Sequence, residues 1–357
     1  MNELLEKAHD KLFRNESDHY IFIYTPPKVG STTLMTSLRV CLGKSYNILH
    51  VHDELMLKVL TGISTITIID LIQFIANNNK IVYVIDVYRS PIERKISEYF
   101  EQLANLHFNN TENNINSYPI SKISERFNCL FPHLSKEEHY FDKYCISNPP
   151  EFNFIQKYTI QNVNKVIYVK LRLKDTNVWG IILSEIFSQR IIIINDYQSC
   201  DKKIGELYNR FKVEYKIPLN LFQQIENCNY LRFYYSEEER RDYLDIWRKK
   251  LCVFFSPYNE IEYSFYIKIC LENQYYNIIQ TEHYIDNGCF CRACGIKRKE
   301  IYFKALKNEV ITEKIIHKHA VNELQEKINI ENMKKIKWIN QNKRIKNKSK
   351  KINTQLL

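Results

Sequence analysis

Glycine is scarce in this chain, with only 7 among 357 residues. The chain therefore has no glycine-rich loop. Each glycine that lies between a predicted strand and a predicted helix carries more weight than it would in an ordinary sequence.

Long apolar runs are also missing. No stretch approaches the roughly 18 apolar residues that a membrane span needs. The longest apolar segments, such as 81–87 and 191–194, are only strand-sized. The first residues, MNELLEKAHDKLFR, have neither an apolar run nor a cleavage-site pattern, so we expect no secretory signal. Without such a signal, the ten mostly scattered cysteines predict reduced thiols in the cytoplasm.

Most of the chain has a net charge close to zero. The net charge is +10, but residues 331–357 hold nine Lys/Arg and one acidic residue, which leaves +2 for the remainder. Charge therefore does not predict a partner for the body of the protein. The basic, Asn-rich tail is predicted to be disordered or a frayed helix. One hypothesis is that the tail binds nucleic acid or another polyanion weakly through its charge. The alternative is that the tail only increases solubility.

Strand and helix patterns alternate along the first 260 residues, which predicts an α/β fold with a mainly parallel sheet covered by helices on both faces. Short apolar, β-branched runs predict strands at 20–25, 46–50, 80–88 and 165–171. Helical spacing predicts helices after Gly30, at 66–75, from Pro91, and near 178–189, 202–213 and 236–251.

The predicted organisation has three parts. Residues 1–260 form the α/β domain, 261–330 a small helical module with a cysteine cluster, and 331–357 the tail. The polar stretch at 106–150 is predicted to be an insertion with one or two short helices.

The segment PPKVGSTTL, residues 26–34, lies between the first predicted strand and the following helix. An anion at a helix N-terminus meets unpaired N–H groups and the positive end of the helix dipole. The kinase-type loop G-x-x-x-x-G-K-[ST] is excluded, because here the lysine precedes the glycine. The alternative is a polar turn capped by Ser31. The residues expected to contact a phosphate are Pro27, Lys28, Val29, Gly30, Ser31, Thr32 and Thr33.

A second segment, YRSPIERKISEYF at 88–100, follows the strongest predicted strand. Arg89 lies at the C-terminal end of that strand, where open α/β folds bind ligands, and its guanidinium suits a doubly charged phosphate. Ser97 lies about two turns into the helix and is expected on its polar face. For Arg94 and Lys95, the alternative to a role in the site is a position on the solvated surface of the helix. We favour that alternative for Lys95.

Together the two segments resemble sulfotransferases that use 3′-phosphoadenosine 5′-phosphosulfate (PAPS), with loops P-K-x-[GA]-[ST]-[ST]-[ST] and R-D-P-x-x-R-x-x-S-x-[YF]. The resemblance implies that Arg89 and Ser97 hold the 3′-phosphate, and Arg94 matches the inner arginine. Ser90 departs from the usual Asp, and we expect it to cap the helix that Pro91 begins.

Less specific matches extend the resemblance: HVH at 50–52, LRLKD at 171–175, and YSEEE at 235–239 before a Trp-bearing helix. Over residues 20–251 the chain is similar to the sulfotransferase-like capsular polysaccharide synthesis proteins. This implies a three-layer P-loop-type sulfotransferase fold with a small C-terminal appendage. It also implies in-line transfer of a sulfuryl group from PAPS to a hydroxyl of a carbohydrate or glycan. Residues 1–260 would then be the nucleotide-binding domain, and the insertion at 106–150 the region that contacts the acceptor.

Such a transfer needs charge stabilisation and a base. Lys28 is the candidate for the leaving-group oxygen. His52 and then His50 are the candidate bases. We expect them to point to opposite sides at the end of the second strand, so that only one faces the cleft. The alternatives are that both histidines are structural, or that Asp53 or Glu54 is the base.

Three thiols lie within six residues at Cys289, Cys291 and Cys294. With a fourth ligand, tentatively His283, they predict a structural zinc site. Other available ligands are Cys270, His317 and His319. The alternatives are a chance group of free thiols or, less favoured, a disulfide.

Two further functions stay open. The α/β domain could be an inactive relative whose cysteine cluster and tail bind nucleic acid. Alternatively, the chain could be a kinase-like P-loop protein that binds ATP with Mg²⁺.

Overall fold

The computed structural model describes residues 1–13, 16–144, 146, 149–196, 202–272, 285–286 and 291–315. Seven strands are found there: β1 (His19–Tyr24), β2 (Asn47–Val51), β3 (Ile81–Tyr88), β4 (Tyr158–Val163), β5 (Val166–Arg172), β6 (Ile217–Pro218) and β7 (Leu251–Cys252). The first five form one sheet in the order β2-β1-β3-β5-β4, and β6 pairs with β7.

The main sheet is mostly parallel, as predicted. Strand β1 pairs in parallel with β2 and β3, and β3 pairs in parallel with β5. The one antiparallel strand, β4, lies at the edge and was not predicted. Every residue of β1 except His19 is buried, because helices cover both faces of the sheet.

Fifteen α-helices are described: α1 (Asn2–Leu12), α2 (Ser31–Leu42), α3 (Glu54–Thr61), α4 (Ile68–Asn77), α5 (Pro91–Glu101), α6 (Glu112–Ile115), α7 (Ile120–Leu130), α8 (His139–Asp142), α9 (Trp179–Phe187), α10 (Gly205–Glu214), α11 (Leu219–Glu226), α12 (Asn229–Tyr234), α13 (Glu237–Arg248), α14 (Glu260–Glu272) and α15 (Arg292–Leu306). A π-helical turn (Leu103–His107) and two 3₁₀ turns (Phe131–His133 and Leu173–Val178) also occur.

Two apolar layers lie on opposite faces of the sheet, because successive side chains of a strand alternate. Phe22 and Val84 face the layer that includes α1, α3 and α4. Ile23 and Ile85 face the layer formed by α2 and α9. The prediction of a sheet with helices on both faces is confirmed.

The insertion is more ordered than predicted. It contains three α-helices instead of one or two, and buries Phe127 and Phe131 completely. These rings join the largest apolar core, which also includes residues of α5 and α10–α13. The insertion is therefore part of the packed body and lies against the helix that carries Ser97.

The C-terminal part packs on α2. Val40 of α2 shares a small apolar core with Cys294 and Ile301 of α15. The apolar run at 191–194 forms no strand, and Ile194 N–H donates to the Ser37 hydroxyl (2.8 Å). None of the helices among these residues is both long and apolar enough to span a membrane.

Candidate functional site

The two phosphate segments and the candidate bases lie at one edge of the sheet. The loop follows β1, the histidines end β2, and Arg89 follows β3. These strands are neighbours and run parallel. The sheet therefore brings together residues that are far apart in the sequence.

The loop backbone has two left-handed residues, Lys28 (φ 66°) and Gly30 (φ 89°). A Cβ at Gly30 would lie 2.6 Å from Leu173 Cδ1. Glycine is therefore required by both conformation and space. The side chain of Val29 is fully buried, whereas Pro27 is exposed. The loop thus anchors the Val29 side chain in the core.

Helix α2 starts without a side-chain cap. Gly30 is the N-cap residue, so Ser31 is already helical and the alternative of a Ser31-capped turn is wrong. Ser31 is buried, and Thr32 is half-buried. The Thr33 hydroxyl donates to the Asp196 carbonyl (3.3 Å). Ser31 and Thr32 are thus the better hydroxyl donors for a ligand at the uncapped N-terminus.

Two arginines bind the loop from the second segment. Arg89 Nη1 donates to the Lys28 carbonyl (2.8 Å) and Arg94 Nε to the Pro27 carbonyl (3.3 Å). Arg94 Nη1 also donates to the Glu137 carbonyl (2.6 Å). Arg94 is only 7% exposed, so the alternative of a solvated surface arginine is wrong.

One face of α5 lies along the loop. Arg94, Ser97 and Glu101 share that face at helical spacing, and both Arg94 and Glu101 contact loop residues. Ser97 lies on this polar face of α5 and is only 2% exposed. The surface position favoured for Lys95 is wrong. Its ammonium group donates to the Phe131 (2.8 Å) and Leu134 carbonyls, and burial lowers its pKa to about 8.

The helix that Pro91 begins also differs in one detail. Ser90 is the N-cap residue of α5, as expected, but its hydroxyl does not cap the helix. Glu93 joins α5 to α13 by accepting from Tyr243 (2.9 Å) and Trp247 (3.1 Å).

Two site residues escaped the sequence reasoning. Glu101 Oε2 accepts from Lys28 Nζ (2.8 Å) and Lys202 Nζ (2.5 Å). Burial would raise the pKa of Glu101, but the two lysines lower it to about 2. Burial also lowers the pKa of Lys28. The loop is thus a cationic site in which one carboxylate holds two ammonium groups.

The histidines lie on the same side, so the expectation of opposite sides is wrong. Residues two apart in a strand share a face, and the rings of His50 and His52 lie 4.6 Å apart, centroid to centroid. His52 Nδ1 contacts the Thr25 carbonyl (2.7 Å). A carbonyl only accepts, so Nδ1 carries the proton and Nε2 the lone pair. Burial lowers the pKa of His52 to about 4, which keeps the ring neutral at pH 7.

The alternative bases have structural roles. Asp53 caps α3 by accepting from Met56 N–H (2.8 Å). Glu54 accepts from the Tyr24 hydroxyl (3.3 Å). His50 is 4% exposed, and His52 is half-buried. The geometry therefore favours His52.

A buried charge cluster fixes the insertion beside His52. Lys170 Nζ contacts Asp86 Oδ2 (2.6 Å) and Glu138 Oε1, and all three side chains are buried. Burial raises the pKa of both carboxyl groups. His139 Nε2 donates to the His52 carbonyl (2.7 Å).

The LRLKD and YSEEE motifs form one structural network. Arg172 contacts Glu239 through Nη1 (2.6 Å) and Nη2 (3.2 Å), and Lys174 contacts the same carboxylate (2.6 Å). Glu239 also completes the capping box of α13 with Ser236, as its sequence predicts. These residues attach α13 to the end of β5 and do not form a separate site.

The cysteine cluster is only partly described. Cys291 is half-buried and Cys294 is buried at the start of α15, whereas Cys289, His283, His317 and His319 lie outside the described residues. No group of three metal-ligating side chains occurs within the described ranges. The zinc site stays a prediction. The basic tail at 331–357 also lies outside these ranges.

No protein-family model, curated protein or solved structure matches this chain.

Proposed function

We propose that this protein transfers a sulfuryl group from PAPS to a hydroxyl of a carbohydrate or glycan. The contact between Arg89 and the Lys28 carbonyl (2.8 Å) carries the proposal. It joins the arginine assigned by resemblance to the 3′-phosphate with the loop assigned to the 5′-phosphosulfate. Both ends of a doubly phosphorylated adenosine could then be held by adjoining residues.

The residues around the loop fit such a ligand. Gly30 gives the loop its left-handed turn beside Leu173, and α2 begins with no side-chain cap. Its first N–H groups, with Ser31 and Thr32, would hold the 5′-phosphosulfate. Arg89 and Ser97 would hold the 3′-phosphate.

Four cations lie at or beside this loop: Lys28, Arg89, Arg94 and Lys202. When bound, PAPS supplies an activated sulfuryl group and a phosphate leaving group. Lys28 would stabilise the negative charge that develops on the leaving oxygen. Until then, the ion pair with Glu101 of α5 would hold the Lys28 ammonium group in place.

His52 is the base that this arrangement favours. Its Nδ1–H is fixed by the Thr25 carbonyl, so Nε2 would take the proton from the acceptor hydroxyl. A bound anion would raise the pKa of His52 from about 4 and make the ring a stronger base. His139 positions the backbone of His52. The insertion therefore borders the base, in keeping with an acceptor-binding role.

Calorimetric titration with the desulfated nucleotide, 3′-phosphoadenosine 5′-phosphate (PAP), tests the proposal. We expect Arg89→Ala to weaken binding about 10- to 100-fold, since a charged hydrogen bond is worth about 1.5–3 kcal/mol. The exposed control Arg241→Ala should bind as the wild type does. Binding of ATP with Mg²⁺, without binding of PAP, would favour the kinase-like alternative.

Transfer of ³⁵S from labelled PAPS to glycan acceptors tests the chemistry. His52→Gln should lower turnover about 10²- to 10⁴-fold while PAP affinity stays within about twofold. Tight PAP binding without transfer to any glycan would favour an inactive relative. Full turnover in His52→Gln would assign the base to another residue.

A further inference from the structure

Helix α14 is apolar on two faces. Tyr263 and Tyr266 face the body and pack against its largest apolar core. Ile261, Phe265 and Ile269 recur at every fourth residue and are 82%, 64% and 43% exposed. Residues four apart lie on the same side of a helix, so these three form one outward apolar stripe. A helix that is apolar all round is normally buried on every side, so the stripe calls for a partner.

The inner face holds α14 against the insertion. The Tyr266 hydroxyl contacts His107 Nδ1 (2.9 Å), and the Tyr263 ring stacks on the His133 ring with centroids 4.1 Å apart. His133 Nε2 also donates to the Tyr258 carbonyl (2.6 Å), just before the helix begins. The outward stripe therefore has a fixed orientation on the surface and is not the inner face of a detached helix.

The exposed apolar surface is large enough to matter for association. The stripe exposes roughly 400 Å², at about 200 Å² for a fully exposed large side chain. Val253 and Phe254, in the segment that leads into α14, are 84% and 72% exposed and add roughly 300 Å² on the same basis. The total approaches the ~800 Å² that each partner of a standard interface buries.

The stripe is complementary to itself. In an antiparallel pair of α14 helices related by a two-fold axis at Phe265, residues equally distant from Phe265 lie opposite each other, so Ile261 faces Ile269 of the second copy. Glu262 and Lys268 flank the stripe, and both are exposed. The antiparallel pair brings Glu262 to the level of Lys268 on the second copy, which places opposite charges at each end of the interface, and it also opposes the two helix dipoles.

We propose that α14 is the interface of a homodimer, in which the stripe formed by Ile261, Phe265 and Ile269 packs against the same stripe of a second copy. Such a two-fold interface uses one self-complementary patch on both copies. The two Phe265 rings would meet at the axis. The proposal uses no residue of the phosphate loop and does not depend on sulfuryl transfer.

Sedimentation equilibrium of the full-length protein, at about 1 to 100 µM, tests the proposal. The mass should rise with concentration from 43.0 kDa toward twice that value. Phe265→Glu should weaken association at least about 30-fold, since a residue at the centre of an interface is worth about 2 kcal/mol or more. Ile246→Glu, which adds the same charge at a 58% exposed apolar residue of α13, is the matched control and should associate as the wild type does. A monomer at every concentration, or a dimer that persists in Phe265→Glu, would overturn the proposal.

Cross-linking tests the position of the two-fold axis. A residue on the axis meets its own copy, so Phe265→Cys should form an intersubunit disulfide on mild oxidation, and peptide mapping should join the two introduced thiols. Ser264 is exposed but lies about 100° further round the helix, where the two Cα atoms would be more than ~7 Å apart. Ser264→Cys should therefore cross-link much more slowly, and equal rates would overturn the proposed axis.

Two other occupants of the stripe give different results. A wild type that stays monomeric but loses thermal stability in Phe265→Glu would indicate that the chain covers the stripe itself. A monomer that binds phosphatidylcholine vesicles, and stops doing so in Phe265→Glu, would indicate a lipid surface. Either result would overturn the proposal. PAP affinity should be unchanged in all of these variants, so failure of the dimer and failure of the proposed nucleotide site are distinguishable.

Discussion

The buried cluster around Lys170 makes a strong prediction about stability. Lys170→Met removes the cation that contacts Asp86 and Glu138, and all three side chains are at most 3% exposed. Breaking a buried ion pair by removing one partner typically costs about 3–5 kcal/mol, because the remaining charge is uncompensated. We expect a loss of this size in the free energy of unfolding at pH 8.

The loss should depend on pH. Burial already raises the pKa of both carboxyl groups in the wild type, and removal of the lysine should raise them further. The folded variant then binds more protons than the unfolded chain above about pH 4. Its stability is retained at low pH and lost as pH rises through the folded-state pKa. One such proton contributes at most about 1.4 kcal/mol per pH unit over the interval between the unfolded-state and folded-state pKa values.

Urea unfolding at pH 5, 6, 7 and 8, followed by tryptophan fluorescence, measures this effect. The matched control is Lys174→Met, which breaks a partly exposed ion pair with Glu239 and should cost less than about 1 kcal/mol at every pH. The double variant Lys170→Met/Glu138→Gln should lose the part of the added pH dependence that Glu138 contributes, because only Asp86 then titrates. A cost below 1 kcal/mol at pH 8, or a cost that does not vary with pH, would refute this reasoning.

Three further changes test other parts of the structure. Gly30→Ala should lower the free energy of unfolding in urea by about 1–3 kcal/mol, because alanine would have to adopt φ 89° and its Cβ would lie 2.6 Å from Leu173. The control Gly295→Ala, in a helix with open space around it, should raise the free energy of unfolding by up to ~1 kcal/mol. Equal effects of the two substitutions would contradict the loop geometry. Glu101→Gln should tighten PAP binding about tenfold, as measured by calorimetry, and make it depend more steeply on salt, because the loop gains one net positive charge. Weaker binding would mean that the main role of Glu101 is to position Lys28. Burial lowers the pKa of His107 from its ordinary 6.5 to about 3, so stability should fall by up to ~1.4 kcal/mol per unit as pH drops below 6.5. Urea midpoints between pH 7 and pH 4.5 should therefore fall less steeply in His107→Gln, and an unchanged slope would exclude this residue as a cause.

The strands and helices around the site were predictable because their signals are local. The apolar runs of β1 and β3 and the turn residues after them place the loop and Arg89 at strand ends. The Ser236–Glu239 capping box correctly marks the start of α13. Edge strand β4 gave no such signal, because its apolar and polar residues alternate only weakly.

The surroundings of the loop were not predictable in the same way. Lys95 has the sequence character of a surface residue, but carbonyl groups of the insertion more than 30 positions away bind its ammonium group. Glu101 and Lys202 meet only in the folded chain, 101 positions apart. Burial of such charges depends on partners that no local pattern reveals.

The most direct measurement compares PAP with AMP, which lacks the 3′-phosphate, as ligands of Arg89→Ala and Lys28→Ala. If the two segments hold opposite ends of the nucleotide, Arg89→Ala should weaken PAP binding about 10- to 100-fold and leave AMP binding nearly unchanged. Lys28→Ala should weaken both. Equal losses for PAP and AMP in Arg89→Ala would contradict a 3′-phosphate site at Arg89.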